Sequence, residues 1–144
     1  MLDSMPVRTG FRRGHLFQAY NEPAFRHFLA VERARARRSR RFFYLALVAI
    51  RQGPGCRLLT LSASTSTAVF WGLGMSVREV DFIGWYREGQ MAAAVLTQGP
   101  KASDSGAASL IADRIVGELT KRLSAAESNN LRVRVVKLSG RVGM

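Results

Sequence analysis

An arginine and an aspartate, Arg78 and Asp81, are separated by two residues and directly precede a short apolar stretch. A guanidinium group offers a planar fork of donors, and a carboxylate offers two acceptors. Their charge-assisted geometry is one that lysine or glutamate would reproduce poorly. Such a pair suits a ligand with phosphate groups or polar ring edges. The pattern is short and arises often by chance, so the two side chains can instead pair with each other where a helix meets a strand.

The turn that follows this pair carries further candidates. Arg87 is placed either to bind a phosphate or simply to be solvated at the tip of a hairpin. Trp85 and Tyr86 directly precede it, and their rings either stack on a base or a partner surface or belong to the core. Both interpretations stay open at the level of the sequence.

A β-hairpin is predicted to position these residues. Two stretches, 82–86 and 91–96, flank the turn and have the composition of paired strands. Gly89 supplies a position in the turn where a positive φ costs little. We therefore expect a strand, a tight turn and a second strand, with the candidate residues before and within the turn.

Apolar periodicity predicts further elements before the hairpin. A first helix begins after Asn21, a suitable N-cap, and its apolar stripe extends to Ala36. Residues 42–50 form an unbroken apolar run, which predicts a central strand covered on both faces. Residues 58–75 are predicted as a second helix, although their serines and threonines lower helix propensity.

A third helix and a last strand are predicted after the hairpin. Asp104 or Ser105 caps this helix, and residues 128–130 break it. Residues 131–136 then alternate between apolar and basic side chains, as in a strand with one wet face. The elements predict an α+β, two-layer domain with helices packed on a central, mostly antiparallel sheet.

Length and composition fit one folded domain. The chain has 144 residues, 47% of them hydrophobic, and a chain of this size buries about two thirds of its unfolded surface. Residues 1–20 show no clear period, which predicts a basic leader or linker before a domain at 21–144. Cys56 is the only cysteine, so no intrachain disulfide forms. His15 and His27 have no ligand partner at zinc-site spacing.

No signal peptide or membrane span is predicted. The first residues are charged but have no apolar core before Asn21. The longest apolar run, 42–50, is far shorter than the ~20 residues that cross a bilayer. A reducing, cytoplasmic location is therefore the default expectation.

The charge is strongly positive, with 22 lysines and arginines against 10 acidic residues and a net charge of +12. Such a surface attracts phosphates, anionic lipid heads or acidic proteins, or it is simply a solvated face. A nucleic-acid-binding domain is one alternative, but no recognition-helix motif or stacking pattern supports it. The densest basic run comprises Arg33, Arg35, Arg37, Arg38, Arg40 and Arg41.

The order of these features resembles the GGDEF domain, the diguanylate cyclase family. The resemblance covers residues 21–139 and rests first on the Arg78–Asp81 pair and the hairpin after it. It is supported by an Asn-x-x-x-Phe opening, a basic first helix, a first core strand, and an Ala-Asp-Arg-Ile stretch after the hairpin. These supporting stretches are residues 21–25, 32–38, 43–50 and 112–115.

The resemblance implies roles for several residues. In this family an Arg-x-x-Asp pair is the inhibitory site for cyclic di-GMP. Arg78 would then contact a guanine edge or a phosphate, and Asp81 would accept from the guanine amide. Arg114 would supply a second basic contact from the helix after the hairpin, unless it is an ordinary surface arginine.

The sequence departs from the family where catalysis takes place. The aspartate that binds Mg²⁺ is replaced at Ala49 or Ile50, and the two acidic letters of the turn fall on Gly89 and Gln90. The two glycines that admit GTP fall on Arg87 and Glu88. Because phosphoryl transfer needs metal and positioned charge, we expect no enzyme activity, no metal and no cofactor. The family's last helix and strand are also expected to be absent.

These expectations combine into a catalytically inactive, GGDEF-like regulatory domain in bacterial signalling or exopolysaccharide control. Its expected partner is cyclic di-GMP, bound by Arg78 and Asp81, or a protein on which it docks. Two alternatives stay open: a dimerisation scaffold without a ligand, which includes a homodimer, and a basic nucleic-acid-binding domain.

Overall fold

The computed structural model describes residues 6–12, 15–53, 55, 57–76, 80–97 and 104–139. It contains seven strands and four helices within these residues. In chain order they are β1 (Pro6–Arg12), β2 (His15–Tyr20), α1 (Glu22–Ser39), β3 (Phe42–Gln52), β4 (Arg57–Leu58), α2 (Ala63–Ser76), β5 (Val80–Arg87), β6 (Met91–Leu96), α3 (Asp104–Thr120), α4 (Ala125–Asn129) and β7 (Leu131–Ser139).

Strand β3 lies at the centre of the sheet. It pairs antiparallel with β6 on one side and with β7 on the other, and β6 pairs antiparallel with β5. The chain passes from β3 through α2 to β5 and from β6 through α3 to β7. The order β5-β6-β3-β7 therefore interleaves two strand–helix–strand units, which is the split arrangement of ferredoxin-like folds. The two-residue β4 pairs with the last residues of β3.

Two strands lie where a leader is predicted. β1 pairs antiparallel with β2, and β2 pairs parallel with β5 through Ala19 and Tyr20. Ala19 is fully buried, so the end of β2 contributes to the core. The sequence does not reveal these strands because neither has the continuous apolar run of a strand covered on both faces. The described part of residues 1–20 extends the sheet.

Helices cover both faces of the sheet. On one face α2 and α3 pack against the strands through a core that includes Phe70 and Ile115. On the other face α1 packs through Phe25 and Leu29. This confirms the α+β class and the two-sided burial of β3. The two-layer arrangement is corrected to three layers, because the apolar stripe of α1 is buried on the face that α2 and α3 leave open.

The start of α1 confirms the predicted cap. The Oδ1 atom of Asn21 accepts a hydrogen bond from the backbone N–H of Ala24 at 3.0 Å, and Pro23 stands in the first turn, where it loses no helical hydrogen bond. The helix ends at Ser39, and its C-cap Arg40 has a left-handed φ of 56° and donates its N–H to the carbonyl of Ala36. The N-cap at Asn21 fixes where the chain turns from β2 into α1.

Two helix boundaries differ from the prediction. The helix expected at 58–75 begins at Ala63, because Arg57 and Leu58 pair with β3 and the hydroxyl of Ser62 accepts a first-turn N–H at 3.2 Å. The third helix ends at Thr120, and Ser124 caps the separate helix α4. No helix in the described part of the chain has both the length and the apolar character needed to cross a membrane.

Candidate functional site

Of the predicted ligand pair, only Asp81 belongs to a described element, near the start of β5. Arg78 falls outside the described residues, and only the backbone of Asp81 is described, as part of β5. Arg87 ends the same strand and is exposed, and Arg114 is exposed on α3, in the helical layer opposite α1. Arg87 and Arg114 thus lie in different layers. The pairing of Arg78 with Asp81 stays a prediction.

The hairpin between β5 and β6 has the predicted tight turn. Gly89 adopts a φ of +76°, the region in which glycine is favoured. The N–H of Gln90 donates to the carbonyl of Arg87 at 3.0 Å and closes the turn. The segment after β4 braces it from outside, since the N–H of Leu61 donates to the carbonyl of Gly89 at 2.8 Å. The turn is held by backbone hydrogen bonds on two sides.

The start of α1 is tied to this turn by two glutamates. The N–H of Glu22 donates to Oε1 of Glu88 at 2.8 Å, and the N–H of Glu88 donates to Oε1 of Glu22 at 2.7 Å. Arg26 bridges the pair to the strand, because it contacts Glu22 at 3.1 Å and donates to the carbonyl of Tyr86 at 2.7 Å. Glu88 therefore joins the hairpin to α1.

The two aromatic candidates beside the turn, Trp85 and Tyr86, both pack against other side chains of the domain. Trp85 is only 4% exposed, and its ring meets Phe70 edge to face with 5.0 Å between the centroids. Tyr86 is half-buried on the other face, where the guanidinium of Arg26 lies 4.4 Å from the centre of its ring. These contacts favour the core interpretation for Trp85 and a packing role for Tyr86.

A groove opens on the α1 face of the sheet, next to this hairpin. Its volume is about 590 Å³. The strand register builds it in rows, because directly paired residues of antiparallel strands point to the same face. Met91, Ala49 and Arg132 pair across three strands, and Leu47 pairs with Arg134 in the next row. The lining residues are Leu47, Ala49, Arg51, Met91, Arg132, Val133 and Arg134.

Helix α1 leaves this part of the sheet open. It is hydrogen-bonded to the hairpin at Glu22. Its apolar side chains pack against the first residues of β3, including Phe43 and Leu45, and not against the last ones. Ala49 and Arg51 are not part of that core. The β7 side of the face is therefore lined by side chains and not by a helix, which explains why Arg132 and Arg134 are exposed.

The groove is electrostatically one-sided. It is lined by three arginines, and no acidic residue is among the described residues that line it. Arg132 donates to the carbonyl of Leu131 at 3.0 Å. Within the described residues neither Arg132 nor Arg134 forms an ion pair. The described ranges also hold no group of three His, Cys, Asp or Glu side chains able to bind a metal ion. The arrangement suits an anion.

The segment that leads into β7, the strand with two of these arginines, is held in place by hydrogen bonds of Glu127 and Asn130. Glu127 accepts from the N–H of Ser124 at 2.9 Å and from the hydroxyl of Thr65 at 2.7 Å. These two hydrogen bonds, the Ser124 backbone bond first, hold the pKa of Glu127 below its ordinary value. Glu127 thereby connects α4 to α2, and the N–H of Arg51 donates to the carbonyl of Asn130 at 3.0 Å.

Sequence reasoning did not identify this groove. Arg132 and Arg134 are predicted only as the wet face of a strand, and Arg51 only follows the apolar run at 42–50. The alternation at 131–136 is a usable signal for the face, but the register that places it beside Ala49 is a long-range property. Comparison with known protein families gives no match to this chain, and comparison with curated proteins gives none either.

Proposed function

We propose that this chain is a catalytically inactive, GGDEF-like regulatory domain that binds cyclic di-GMP. The supporting observation is the place where β3 meets the hairpin. Ala49 pairs with Met91 next to a turn that contains Gly89 and Gln90. The resemblance locates the metal-binding carboxylates of the cyclases at these positions, and none of the three residues is acidic.

Without these carboxylates the domain is expected to lose Mg²⁺ binding and phosphoryl transfer but to keep the strands and the hairpin. Mg²⁺ needs oxygen ligands, usually carboxylates together with substrate phosphates, and phosphoryl transfer depends on that metal. Purified protein incubated with GTP and Mg²⁺ is therefore expected to make no cyclic di-GMP above a protein-free blank. Formation of cyclic di-GMP above that blank, by an activity that co-purifies with the protein, would contradict the inactive assignment.

Binding of cyclic di-GMP is assigned to Arg78 and Asp81. Arg78→Ala removes a bidentate, charge-assisted contact and leaves a ligand acceptor unpaired, which costs about 2–3 kcal/mol, or roughly 30- to 150-fold in affinity. Asp81→Asn keeps the shape and is expected to cost less. Calorimetric titration of the two variants and the wild type measures both effects.

Arg114→Ala is titrated in the same way, because the resemblance assigns the second basic contact to this exposed arginine of α3. If Arg114 supplies the second basic contact, its variant loses affinity as well, and otherwise it binds like the wild type. Wild-type protein that does not bind cyclic di-GMP at high micromolar concentration would refute the proposal. Unchanged affinity in both the Arg78 and Asp81 variants would show that this pair is structural.

A second candidate function is binding to a polyanion such as a nucleic acid. The observation that favours it is the row of exposed arginines on the last turns of α1 and just beyond it. Binding of this kind rests on counterion release, so its affinity falls steeply with salt concentration. A shaped nucleotide site responds to salt less. The exposed arginines are Arg33, Arg35, Arg37, Arg38, Arg40 and Arg41.

A further inference from the structure

We propose that the groove between β3 and β7 binds a soluble, phosphate-bearing small molecule of nucleotide size, without a metal ion. Its basic residues are Arg51, Arg132 and Arg134, and its floor is formed by Leu47, Ala49 and Met91. None of them belongs to the Arg78 and Asp81 pair. The site is independent of the cyclic di-GMP proposal.

The first argument is the concentration of positive charge. Arg132 and Arg134 stand two residues apart on β7, so their side chains leave the same face with about 7 Å between them. Arg51 follows Ala49 by two residues on β3, and Ala49 pairs with Arg132. Guanidinium groups at such short distances repel each other. Their potentials add within a concave surface, and a bound anion relieves the repulsion.

The second argument is the geometry of the donors. A guanidinium group is a planar fork that matches two oxygens of a phosphate, and it keeps its charge at every accessible pH. Arg132 and Arg134 approach from β7, and Arg51 approaches from β3. A phosphate between these strands can accept hydrogen bonds from two directions. Arg132 and Arg134 carry the argument, because both are exposed and neither has an ion-pair partner among the described residues.

The third argument is the apolar floor. Ala49 is 4% exposed, pairs with the half-buried Met91 and lies two residues from the half-buried Leu47 on β3. Its small side chain leaves depth at the centre of the groove. A bare inorganic anion gains little from this floor, but a ligand with a planar ring can lie on it. The volume of about 590 Å³ falls within the range of roughly 300–1,000 Å³ that is usual for small-molecule sites.

The absence of acidic residues among those lining the groove also sets the metal requirement. A divalent cation bound with a nucleotide needs carboxylate or other oxygen ligands from the protein. The lining supplies guanidinium groups in their place, and these neutralise phosphate charge directly. Binding in this groove is therefore expected to persist when divalent cations are removed with EDTA.

The test uses two probes, inorganic pyrophosphate and ADP, which share a pyrophosphate group and differ by the nucleoside. Calorimetric titration in EDTA is expected to show both binding, with ADP tighter because its ring covers the floor. The double variant Arg132→Gln and Arg134→Gln is expected to lose at least about tenfold in affinity for both probes. Circular dichroism and thermal unfolding verify that this variant folds.

The matched control is Arg33→Gln with Arg37→Gln, which changes the net charge equally on exposed positions of α1. It is expected to bind both probes like the wild type. The variant Ala49→Leu fills the floor of the groove without changing the charge. It is expected to weaken the binding of ADP more than the binding of pyrophosphate. This variant also keeps the test decisive if the arginine variant does not fold.

Three outcomes would overturn the proposal. One is no binding of either probe at millimolar concentration. Another is an equal loss in the α1 control, which would indicate a nonspecific charge effect. The third is binding only to phosphatidylglycerol-containing vesicles or to single-stranded DNA. Arg78→Ala is expected to leave ADP binding unchanged, so failure of the cyclic di-GMP proposal and failure of this one can be told apart.

Discussion

Gly84→Ala is expected to destabilise the protein strongly, by about 3 kcal/mol. A Cβ atom at this position would lie 2.5 Å from the carbonyl oxygen and 2.9 Å from the amide nitrogen of Tyr20, and 3.0 Å from Cδ1 of Phe25. Real Cβ contacts are not this short. The nearest atoms belong to backbone and cannot rotate away as a side chain would, so β2 or the start of α1 must move. Overpacking of this kind costs about 1–3 kcal/mol and occasionally more.

The measurement is unfolding by urea or heat, with Gly117→Ala as the matched control. Gly117 lies in α3, is exposed, and has no atom within 4 Å of an added Cβ. The same substitution there should stabilise the protein by about 0.5–1 kcal/mol, since alanine is the better helix former. Gly84→Ala with wild-type stability would mean that β2 does not lie against β5, and that residues 1–20 are the leader that the sequence predicts.

Gly84 also illustrates how far the fold could be predicted from the sequence. The strands that carry their own apolar pattern, such as 42–50 and 91–96, are predicted near their observed bounds. β1 and β2 depend on pairing with β5, which no local pattern records. A glycine between Ile83 and Trp85 is nevertheless a local signal, because glycine inside a strand often marks close approach of another backbone. That signal could have indicated that a segment crosses β5 there.

The groove was less predictable than the fold for a related reason. Alternation at 131–136 predicts one wet face for β7 but does not say what lies beside it. The partner of Arg132 is Ala49, far away in the chain, and their pairing depends on the whole βαββαβ path. Burial patterns are local and could be predicted. The convergence of exposed cations on a shared face depends on register, which a single strand does not encode.

The structure also explains why a basic face is compatible with the centre of a sheet. Along the α1 face of β3, the helix covers Phe43 and Leu45 but not Arg51. Where the helix is absent, the strand residues meet water, so their side chains can be charged without a desolvation cost. One strand thus changes from core to binding surface along its length. The position of α1, fixed by its hydrogen bonds to Glu88, sets where that change occurs.

Trp85→Ala is expected to cost about 3–5 kcal/mol, the usual range for truncating a large aromatic side chain in a core. Trp85 packs with α2 and α3 on the sheet face opposite the groove, and its ring contacts Phe70 edge to face. Removing it leaves a cavity in the larger of the two cores. Because small domains are stable by only about 5–15 kcal/mol, the variant should unfold at clearly lower urea concentration and temperature.

Tyr86→Ala is the matched comparison, since the two aromatics are neighbours on opposite faces. Tyr86 is half-buried at the edge of the α1-side core, and its ring contacts the guanidinium of Arg26, an interaction worth about 0.5–1 kcal/mol at an exposed site. We therefore expect Tyr86→Ala to cost roughly 1 kcal/mol and to leave the affinity for cyclic di-GMP and ADP unchanged. A small effect at Trp85 would contradict its place in the core. A large loss of ligand affinity with little loss of stability at Tyr86 would instead assign this ring to stacking on a base.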